Sequence, residues 1–383
     1  MTNTPIRVGF VGLNPDGRWA AAAHVPALRS LPDMFKIVGV ANSTPESGRR
    51  AAEAYGLPHG FASAAELVAS PDVDLVVVTV KVPHHLQLVT QALEAGKHVY
   101  CEWPLGNGLT EARKLAQLAG EKGVVAVAGI QARVAIEVEH VRQLIADGYV
   151  GRVLSTSVIA SGGNWAGEST SDSYYLFEKR NGATMQSIPL AHMLAAIRET
   201  LGELESLSAR FTSRFDTVRM VDTGEIRPKT VPDQIMVHGT LASGAAISIH
   251  YRGGISRGTN LLWEINGTDG DIQIRGAHGH AQIAQLEIVG ARGDQDELVS
   301  LMPPGAAYAG WPDSSTVRNV ARVYARLAAD IRKGTSTAPT FHDAVGLHAL
   351  VDAIEKSASQ QLVPTSRPET SPATHLSCLP FDC

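Results

Sequence analysis

His192 is the residue best suited to move a proton near neutral pH. Its imidazole has an unperturbed pKa near ~6.5, so one ring can accept a proton and later donate it. The residue begins the apolar stretch 192–197, where a histidine is otherwise an ordinary core residue, and both interpretations stay open. Tyr175 and Lys179 lie in a polar loop before Asn181 and are alternative proton donors.

A glycine-rich turn near the N-terminus predicts a dinucleotide site. The apolar run 6–11 predicts a buried strand, Gly12, Asn14 and Gly17 follow it, and the alanine-rich segment 18–23 can open a helix. In this order the backbone turns tightly at the first glycine, and the helix N-terminus offers N–H groups to a pyrophosphate. Asn14 replaces the usual middle glycine but tolerates left-handed backbone, and an ordinary strand-to-helix turn is the alternative. The candidate cofactor contacts here are Gly12, Leu13, Asn14, Gly17, Arg18 and Trp19.

The residues after the predicted second strand bear on which dinucleotide binds. An acidic residue in this position binds the adenosine ribose of NAD, but the sequence has Asn42, Ser43 and Thr44. These side chains can donate hydrogen bonds to a 2′-phosphate, and Arg49 follows on the next predicted helix. NADP(H) is therefore the favoured cofactor and NAD(H) the alternative; a solvated helix face is the alternative role of Arg49.

Strand and helix patterns alternate through the first 130 residues. Strands are predicted at residues 6–11, 37–40, 75–80, 98–101 and 124–128, and helices at 18–31, 45–55, 64–69, 84–95 and 110–122. This alternation with continuous apolar strands predicts an α/β fold, a Rossmann-type doubly wound parallel sheet with helices on both faces.

The pattern changes after residue 130. A helix is predicted at 137–147, strands at 153–160, 205–211, 235–241, 245–251, 261–265, 272–274 and 283–289, and helices at 315–333 and 342–358. Turn residues between paired strands indicate hairpins, so a mostly antiparallel, open-sheet α+β domain is expected. The predicted organisation is an NAD(P)-binding domain at 1–130, a substrate and oligomerisation domain at 131–363, and a loosely ordered tail at 364–383.

The composition is typical of a globular protein. Of 383 residues, 44% are hydrophobic and 19% charged, with a formal charge of −5. The acidic balance and the absence of a basic stripe argue against a nucleic-acid partner. Three cysteines without paired spacing fit a reducing compartment, and no metal site is predicted, since His278 and His280 indicate a hairpin connection. No apolar run is long enough for a membrane span and no signal peptide is apparent, so a cytoplasmic location is expected.

Several further segments resemble one oxidoreductase family. Residues 79–85 are TVKVPHH, residues 95–105 are AGKHVYCEWPL, residues 129–133 are GIQAR, and Asn181 and Gly182 precede His192. Together with the glycine turn, these segments resemble the glucose–fructose oxidoreductase, inositol dehydrogenase and rhizopine-catabolism (GFO/IDH/MocA) family, in the family's order, from residue 6 to about 360. The resemblance implies a dinucleotide domain followed by an open antiparallel sheet. It also implies a sugar, polyol or related carbonyl compound held between the sheet and the nicotinamide.

The resemblance also implies roles for individual residues. It places Glu102 near the nicotinamide ribose and His192 at the reacting carbon, while Pro104 fixes a turn whose cis or trans state stays open. Lys81 follows the third predicted strand, at the edge where parallel sheets bind ligands, and a solvated lysine is the alternative. The implied cofactor contacts are Lys81, His85, Glu102, Trp103 and Gln131, and the implied substrate contacts are Trp103, Arg133, Asn164, Trp165 and His192.

Two catalytic positions depart from the family pattern. The lysine of the family's Glu-Lys-Pro motif is Trp103 here, and the aspartate four residues before the histidine is Ile188. An indole donates one hydrogen bond but does not exchange its proton near neutral pH. Trp103 after Glu102, together with residues 12–14, 131–133 and 181–182, resembles the subgroup that contains the galactose-regulon repressor of yeasts, a regulator that binds NADP.

Two functions follow as hypotheses. The first is an NADP(H)-dependent oxidoreductase that moves a hydride between nicotinamide and a sugar-like or other small carbonyl or hydroxyl compound, with His192 moving the proton. The alternative is a non-catalytic NADP(H)-binding sensor or regulator. The two missing family residues favour the regulator, and the absence of an added DNA-binding module favours the enzyme. An open sheet usually needs covering, so a homodimer or homotetramer is expected.

Overall fold

Six parallel strands form the first sheet, which contains the five predicted strands and one more. The computed structural model describes residues 4–360. Its first strands are β1 (Ile6–Val11), β2 (Phe35–Ala41), β3 (His59–Phe61), β4 (Leu75–Val78), β5 (His98–Cys101) and β6 (Ala126–Ala128). They lie in the order β3-β2-β1-β4-β5-β6. This order reverses between β1 and β4, and dinucleotides bind at such a switch point. The predicted α/β class of this region is confirmed.

The helices of this region follow the predicted positions with one difference. They are α1 (Val25–Arg29), α2 (Pro45–Tyr55), α3 (Ala64–Ala69), α4 (His85–Glu94) and α5 (Leu109–Lys122). The helix predicted at 18–31 is instead a wide π-helical turn, Ala20–His24, followed by the short α1. Pro26 lies in the first turn of α1 and has no N–H to donate, so the hydrogen-bonding pattern changes there.

A second sheet of eight strands follows helix α6 (Ile136–Ala146). Its order is β17-β16-β15-β14-β7-β13-β12-β9, and every neighbouring pair is antiparallel except β7 and β13. The predicted mostly antiparallel domain is therefore confirmed. The strands are β7 (Val153–Ser161), β9 (Leu204–Thr212), β12 (Gln234–Leu241), β13 (Ala246–Arg252), β14 (Leu261–Gly267), β15 (Gly270–Gly276), β16 (Glu287–Arg292) and β17 (Val299–Ser300).

Several short strands escape prediction from sequence. The strands β8 (Glu168–Ser169), β10 (Thr217–Met220) and β11 (Ile226–Pro228) form a separate three-stranded sheet, and β3 lies at the edge of the first sheet. Strands of two to four residues are too short to show an alternating pattern. The strand predicted at 283–289 begins only at Glu287, because residues 280–284 form a turn in which the N–H groups of Ile283 and Ala284 donate to the carbonyl of His280.

The remaining helices are α7 (Ala191–Leu201), α8 (Ser315–Lys333) and α9 (Phe341–Ala358). Helix α8 packs its buried face into the core of the first sheet: Tyr324 and Leu327 share one apolar cluster with Phe10 and Leu28. Helix α8, which follows the second sheet in sequence, thus packs against the first domain. The division at residue 130 stays a prediction, and the tail at 364–383 lies outside the described residues. No helix between residues 4 and 360 is long and apolar enough to cross a membrane.

Candidate functional site

A cleft between the two sheets holds most of the predicted site residues. It has a volume of about 810 Å³ and opens at the carboxyl ends of β1 and β4, the edge where doubly wound sheets bind ligands. The predicted residues that line it are Gly12, Asn14, Arg18, Trp19, Asn42, Ser43, Lys81, His85, Glu102, Trp103, Gln131, Asn164, Trp165, Tyr175 and His192.

The glycine turn leaves an open space beside the end of β1. Gly12 has φ 102°, and a Cβ added to it would lie only 2.6 Å from Cγ1 of Val80. Gly17 has φ 100°, a backbone region that L side chains rarely adopt. Asn14 stabilises the turn, since its Oδ1 accepts a hydrogen bond from the N–H of Asp16 at 2.8 Å. Steric contact thus requires a glycine at position 12, the positive φ favours one at position 17, and the turn between them is suited to a pyrophosphate.

The adenosine end of the cleft carries hydroxyl groups and no carboxylate from the end of β2. The amide nitrogen of Asn42 donates to the carbonyls of Leu13 and Ser47 at 2.8 and 3.1 Å, so its donors are already used within the protein. Ser43 and Ser47 line the cleft. Thr44 instead caps α2 by accepting a hydrogen bond from the N–H of Ser47 at 3.2 Å. Hydroxyls rather than amide donors therefore face this end.

Glu102 is held at the centre of the cleft by a buried hydrogen-bond network. Its Oε1 accepts hydrogen bonds from Nε2 of Gln131 at 2.8 Å and from Nε2 of His24 at 3.0 Å. Nδ1 of His24 lies 2.7 Å from the hydroxyl of Tyr324, which anchors the network to α8. Oε1 of Gln131 and Nε1 of Trp19 are buried without a hydrogen-bond partner in the described chain. These orphaned polar atoms and the glycine turn fit a bound dinucleotide.

Trp103 forms a wall of the cleft but has no free hydrogen-bond donor. The peptide bond between Trp103 and Pro104 is cis. The indole Nε1 donates to the carbonyl of Ser187 at 2.5 Å, and the indole packs against the ring of His348 at a centroid distance of 4.4 Å. The ring of His85 lies between the carbonyls of Val80 and Pro104, so it fixes the turn that presents the indole. An apolar surface thus stands where the family lysine is expected.

His192 lies on the cleft floor beside a second histidine. Burial, with the neighbouring ring of His280, lowers the pKa of His192 to about 3, and its Nδ1 is buried without a partner. Nε2 of His280 donates to the carbonyl of Gly162 at 2.6 Å, and burial lowers the pKa of His280 to about 4. Ile188 also lines the cleft and offers neither histidine a negative charge. Both rings are therefore neutral near pH 7.

Trp165 covers the other side of the histidine pair. Its indole stacks on the ring of His280 at a centroid distance of 6.3 Å, and its Nε1 donates to the carbonyl of Leu176 at 2.9 Å. The backbone of Trp165 has φ 67°, an uncommon conformation for a bulky residue. Such strain is kept where the surrounding structure requires one side-chain position. Asn164 is exposed beside it at the cleft.

Two contacts join the domains at the cleft mouth. The guanidinium of Arg18 forms an ion pair with Asp172 at 2.5 Å, and Arg18 has φ 103°. The ammonium of Lys81 lies 4.5 Å from the ring centroid of Tyr175, and burial raises the pKa of the Tyr175 hydroxyl. That hydroxyl therefore stays protonated near neutral pH and is available as a donor.

Other predicted residues are not brought into the cleft. Lys179 forms an ion pair with Glu355, and Arg133 pairs with Glu199 and Asp343 at 2.8 and 2.7 Å beside a separate small cavity. Both cations are thus neutralised by second-domain and C-terminal carboxylates that the sequence does not place near them. The lining also leaves out Leu13, Gly17, Thr44 and Arg49.

Three residues of one turn line the cleft although they were not assigned to the site from the sequence. His280, Gln282 and Ile283 line the cleft from the connection between β15 and β16. The connection is a hairpin, as expected from the sequence, but the turn at 280–284 places these residues in the cleft that His192 also lines. A strand through this segment would have dispersed them over two faces. Between residues 4 and 360, no group of three or more His, Cys, Asp or Glu side chains is arranged to hold a metal ion.

Comparison with known proteins agrees with this arrangement. Residues 6–130 match the model of the GFO/IDH/MocA oxidoreductase family with an NAD-binding Rossmann fold, and residues 137–276 match the C-terminal domain of Gal80p. The dehydrogenase aclE of Aspergillus oryzae is 32% identical over 92% of this chain and 96% of its own length. The galactose/lactose metabolism regulatory protein GAL80 of Saccharomyces cerevisiae is 28% identical over 74% of this chain and 69% of its own length.

Solved structures show the same fold. A super-repressor mutant of Gal80p from Saccharomyces cerevisiae superposes with a TM-score of 0.85 at 26% identity, covering 92% of this chain and 96% of that one. Levoglucosan dehydrogenase in complex with NADH and levoglucosan superposes with a TM-score of 0.79 at 23% identity, covering 92% and 97%. Fold and site thus define a two-domain protein of the NAD-binding Rossmann class. The chain belongs to the GFO/IDH/MocA oxidoreductase family, and its relatives include both dehydrogenases and Gal80 regulators.

Proposed function

We propose that this chain is an NAD(P)(H)-dependent oxidoreductase acting on a carbon that bears a hydroxyl or carbonyl group in a small, sugar-like or related compound. The observation that carries the proposal is the position of His192. Its buried ring lines the same continuous cleft as Gly12 and Glu102. A proton-transfer group therefore lies within one cavity with the residues that fit a dinucleotide.

Different residues of the chain would transfer the proton and orient the substrate in such a reaction. A bound nicotinamide dinucleotide supplies or accepts the hydride. His192 is neutral near pH 7 and can therefore accept the proton of the reacting hydroxyl during oxidation of an alcohol, although its pKa of about 3 makes it a weaker base than an ordinary imidazole. In the reverse direction the protonated ring of His192 returns the same proton, and the protonated hydroxyl of Tyr175 is the alternative donor for that step. Trp103 and Trp165 orient the ring of the substrate and exclude water from it.

NADP(H) is the cofactor that we favour, with NAD(H) as the alternative. The end of β2 carries no carboxylate to repel a 2′-phosphate, and the hydroxyls of Ser43 and Ser47 line the cleft there. Arg49 lies outside the lining, and Arg50 is paired with Asp16. Selectivity thus depends on hydroxyl groups and the helix terminus of α2, an arrangement compatible with both dinucleotides.

A dinucleotide-binding regulator is the second candidate. The observation in its favour is that Trp103 and Ile188 offer no exchangeable proton in the cleft, since the indole N–H of Trp103 is bonded to the carbonyl of Ser187. Part of the chain also matches the Gal80p C-terminal domain. Such a protein would bind NADP(H) in the same cleft without turning over a substrate.

One experiment separates the two candidates. Nicotinamide absorbance is followed with NADPH and NADP⁺ against sugars, polyols, ketones and aldehydes, comparing wild type with His192→Asn. The matched control is His238→Asn, an exposed histidine on β12. Turnover that falls by about 10²–10⁴-fold only in His192→Asn supports the enzyme. NADPH binding without turnover of any compound supports the regulator.

We also propose that the chain forms a homodimer or homotetramer. The wide second sheet leaves apolar side chains on its surface, among them Ile159 on β7, which is 42% exposed. Exposed sheet faces of this kind are commonly covered by a second copy. Light scattering after size-exclusion chromatography measures the mass directly, and a mass of one chain near 40.6 kDa contradicts the proposal.

A further inference from the structure

The wall that the second domain contributes to the cleft is poor in free polar groups. Its apolar side chains are those of Trp165, Leu176, Ala183, Ile188 and Ile283. Asp172 is the one charged side chain that the second domain adds to the lining within the described chain. It is exposed at the mouth, where it pairs with Arg18. The interior of this wall therefore carries no formal charge near neutral pH.

The indole donor of Trp165 and the imidazole donor of His280 in this wall are already used, whereas the hydroxyl of Tyr175 stays free within the described chain. Nε1 of Trp165 donates to the carbonyl of Leu176 at 2.9 Å, and Nε2 of His280 donates to the carbonyl of Gly162 at 2.6 Å. Trp103, facing them from the first domain, donates to the carbonyl of Ser187 at 2.5 Å. Since each ring nitrogen has a backbone partner, these rings offer a ligand apolar faces and edges.

Few hydrogen-bonding atoms remain for a ligand in the interior. His192 has a buried Nδ1 without a partner, and Oε1 of Gln282 is likewise buried and unpartnered. Asn164 adds an amide at the exposed end of the wall. Each hydroxyl that is buried without a partner weakens binding by about 5- to 150-fold. Together with the hydroxyl of Tyr175, these groups would still leave several hydroxyls of a polyol with five or six unpaired, whereas a compound with one or two oxygens would find a partner for each.

We infer that the substrate is a small uncharged ring compound with one or two oxygen substituents rather than a polyhydroxylated sugar. The inference rests on the proposed oxidoreductase function and narrows its substrate class. One oxygen, on the reacting carbon, faces His192; the second reaches Oε1 of Gln282 as a hydrogen-bond donor. The apolar part of the ring packs against Trp165, Ile188 and Ile283. In the oxidation, the C–H hydride goes to the nicotinamide of NAD(P)⁺, the O–H proton goes to His192, and a C=O bond forms.

Two probes with the same carbon ring test this inference. trans-Cyclohexane-1,2-diol has two hydroxyls and myo-inositol has six, so they differ in polarity at constant ring size. NADP⁺ reduction with each is measured, and the dissociation constant of each for the NADPH-loaded protein is measured by tryptophan fluorescence. We expect kcat/KM and affinity to favour the diol by at least about 100-fold, because the additional hydroxyls find no partners.

A pair of isoleucine substitutions provides the control. Ile283→Asn adds a hydrogen-bonding group to the wall and should reduce the preference for the diol by about tenfold or more. Ile226→Asn makes the same change on β11, where the side chain is 66% exposed and outside the cleft lining, and should leave the preference unchanged.

The outcomes separate the inference from the function on which it rests. Turnover of myo-inositol equal to or faster than that of the diol overturns the inference and leaves the oxidoreductase in place. Turnover of neither compound counts against the oxidoreductase, and the binding measurement then decides the inference. Tighter binding of the diol supports it, and equal or tighter binding of myo-inositol overturns it.

Discussion

Acidification should destabilise this protein through three buried histidines well before its carboxylates are protonated. Burial lowers the pKa of His192 from 6.5 to about 3, and those of His280 and His348 to about 4. Asp233 and Asp343 also have lowered pKa values, despite burial, because of hydrogen bonds and nearby positive charges. Their contribution to stability is lost only as the pH falls below about 4, so milder acid isolates the histidines.

The sign and size follow from proton linkage. Below about pH 6.5 the unfolded chain binds a proton at each of these rings, whereas the folded rings stay neutral. Stability is therefore complete above about pH 6.5 and is lost as the pH falls toward the folded pKa values. Between about pH 7.5 and about pH 5.5 each ring removes about 1.4 kcal/mol, and the three together remove about 4 kcal/mol. That is a large part of a typical folding free energy of about 5–15 kcal/mol.

Urea unfolding at the two pH values, followed by tryptophan fluorescence, measures this loss. His192→Asn and His348→Asn should each reduce the pH-dependent difference in unfolding free energy by about 1.4 kcal/mol. His59→Asn is the matched control, since this side chain is exposed and therefore hydrated in both states. An unfolding free energy that does not change between the two pH values refutes the reasoning. A loss that persists unchanged in both the His192→Asn and the His348→Asn variants also refutes it.

Three further predictions concern the cofactor site and the core. Gly12→Ala should weaken NADPH binding by at least about tenfold in a fluorescence titration, because the added Cβ clashes with Val80 and the φ of this residue is positive. The control Gly224→Ala, also at positive φ but in open space, should leave NADPH binding unchanged. Ser43→Asp should raise the Kd for NADPH about tenfold and leave that for NADH nearly unchanged, since only NADPH has the repelled 2′-phosphate; equal effects on both contradict the assignment. Lys229→Met should lower the urea unfolding free energy by about 3–5 kcal/mol, because it leaves the buried carboxylate of Asp233 without its ammonium partner at 2.7 Å. A loss under about 1 kcal/mol would show that the backbone N–H groups of Arg214 and Phe215, which also donate to this carboxylate, suffice.

Local patterns in the sequence account for most of the first domain. Apolar strands such as β4 and the amphipathic helix α2 have the predicted bounds to within two residues, because their signals lie within the segment itself. The predicted helix at 18–31 differed because Pro26 changes the hydrogen-bond pattern from inside the segment.

The residues of the candidate site likewise fall into those that local sequence patterns predict and those that they do not. Gly12 and Gly17 were predictable, because a tight turn between a strand and a helix requires positive φ at fixed spacing. His280 was not, since its place beside His192 depends on a turn in a connection almost 90 residues further along the chain. Lys179 was proposed as a proton donor from its position in a polar loop, but its ion pair with Glu355 of α9 takes it out of the lining.

The sequence by itself determined the order of strands and helices, the dinucleotide turn and the absence of the family lysine at Trp103. These features depend on residue types at short spacing, where sterics and periodicity act within a few residues. Only the tertiary structure decided that the indole N–H of Trp103 donates a hydrogen bond to the carbonyl of Ser187. It also decided that the neutral rings of His192 and His280 lie side by side in the cleft, and that Arg133 lies outside the cleft, paired with Glu199. Hydrogen-bond partners, desolvation and ion pairing arise between distant segments, so they exist only once the chain has folded.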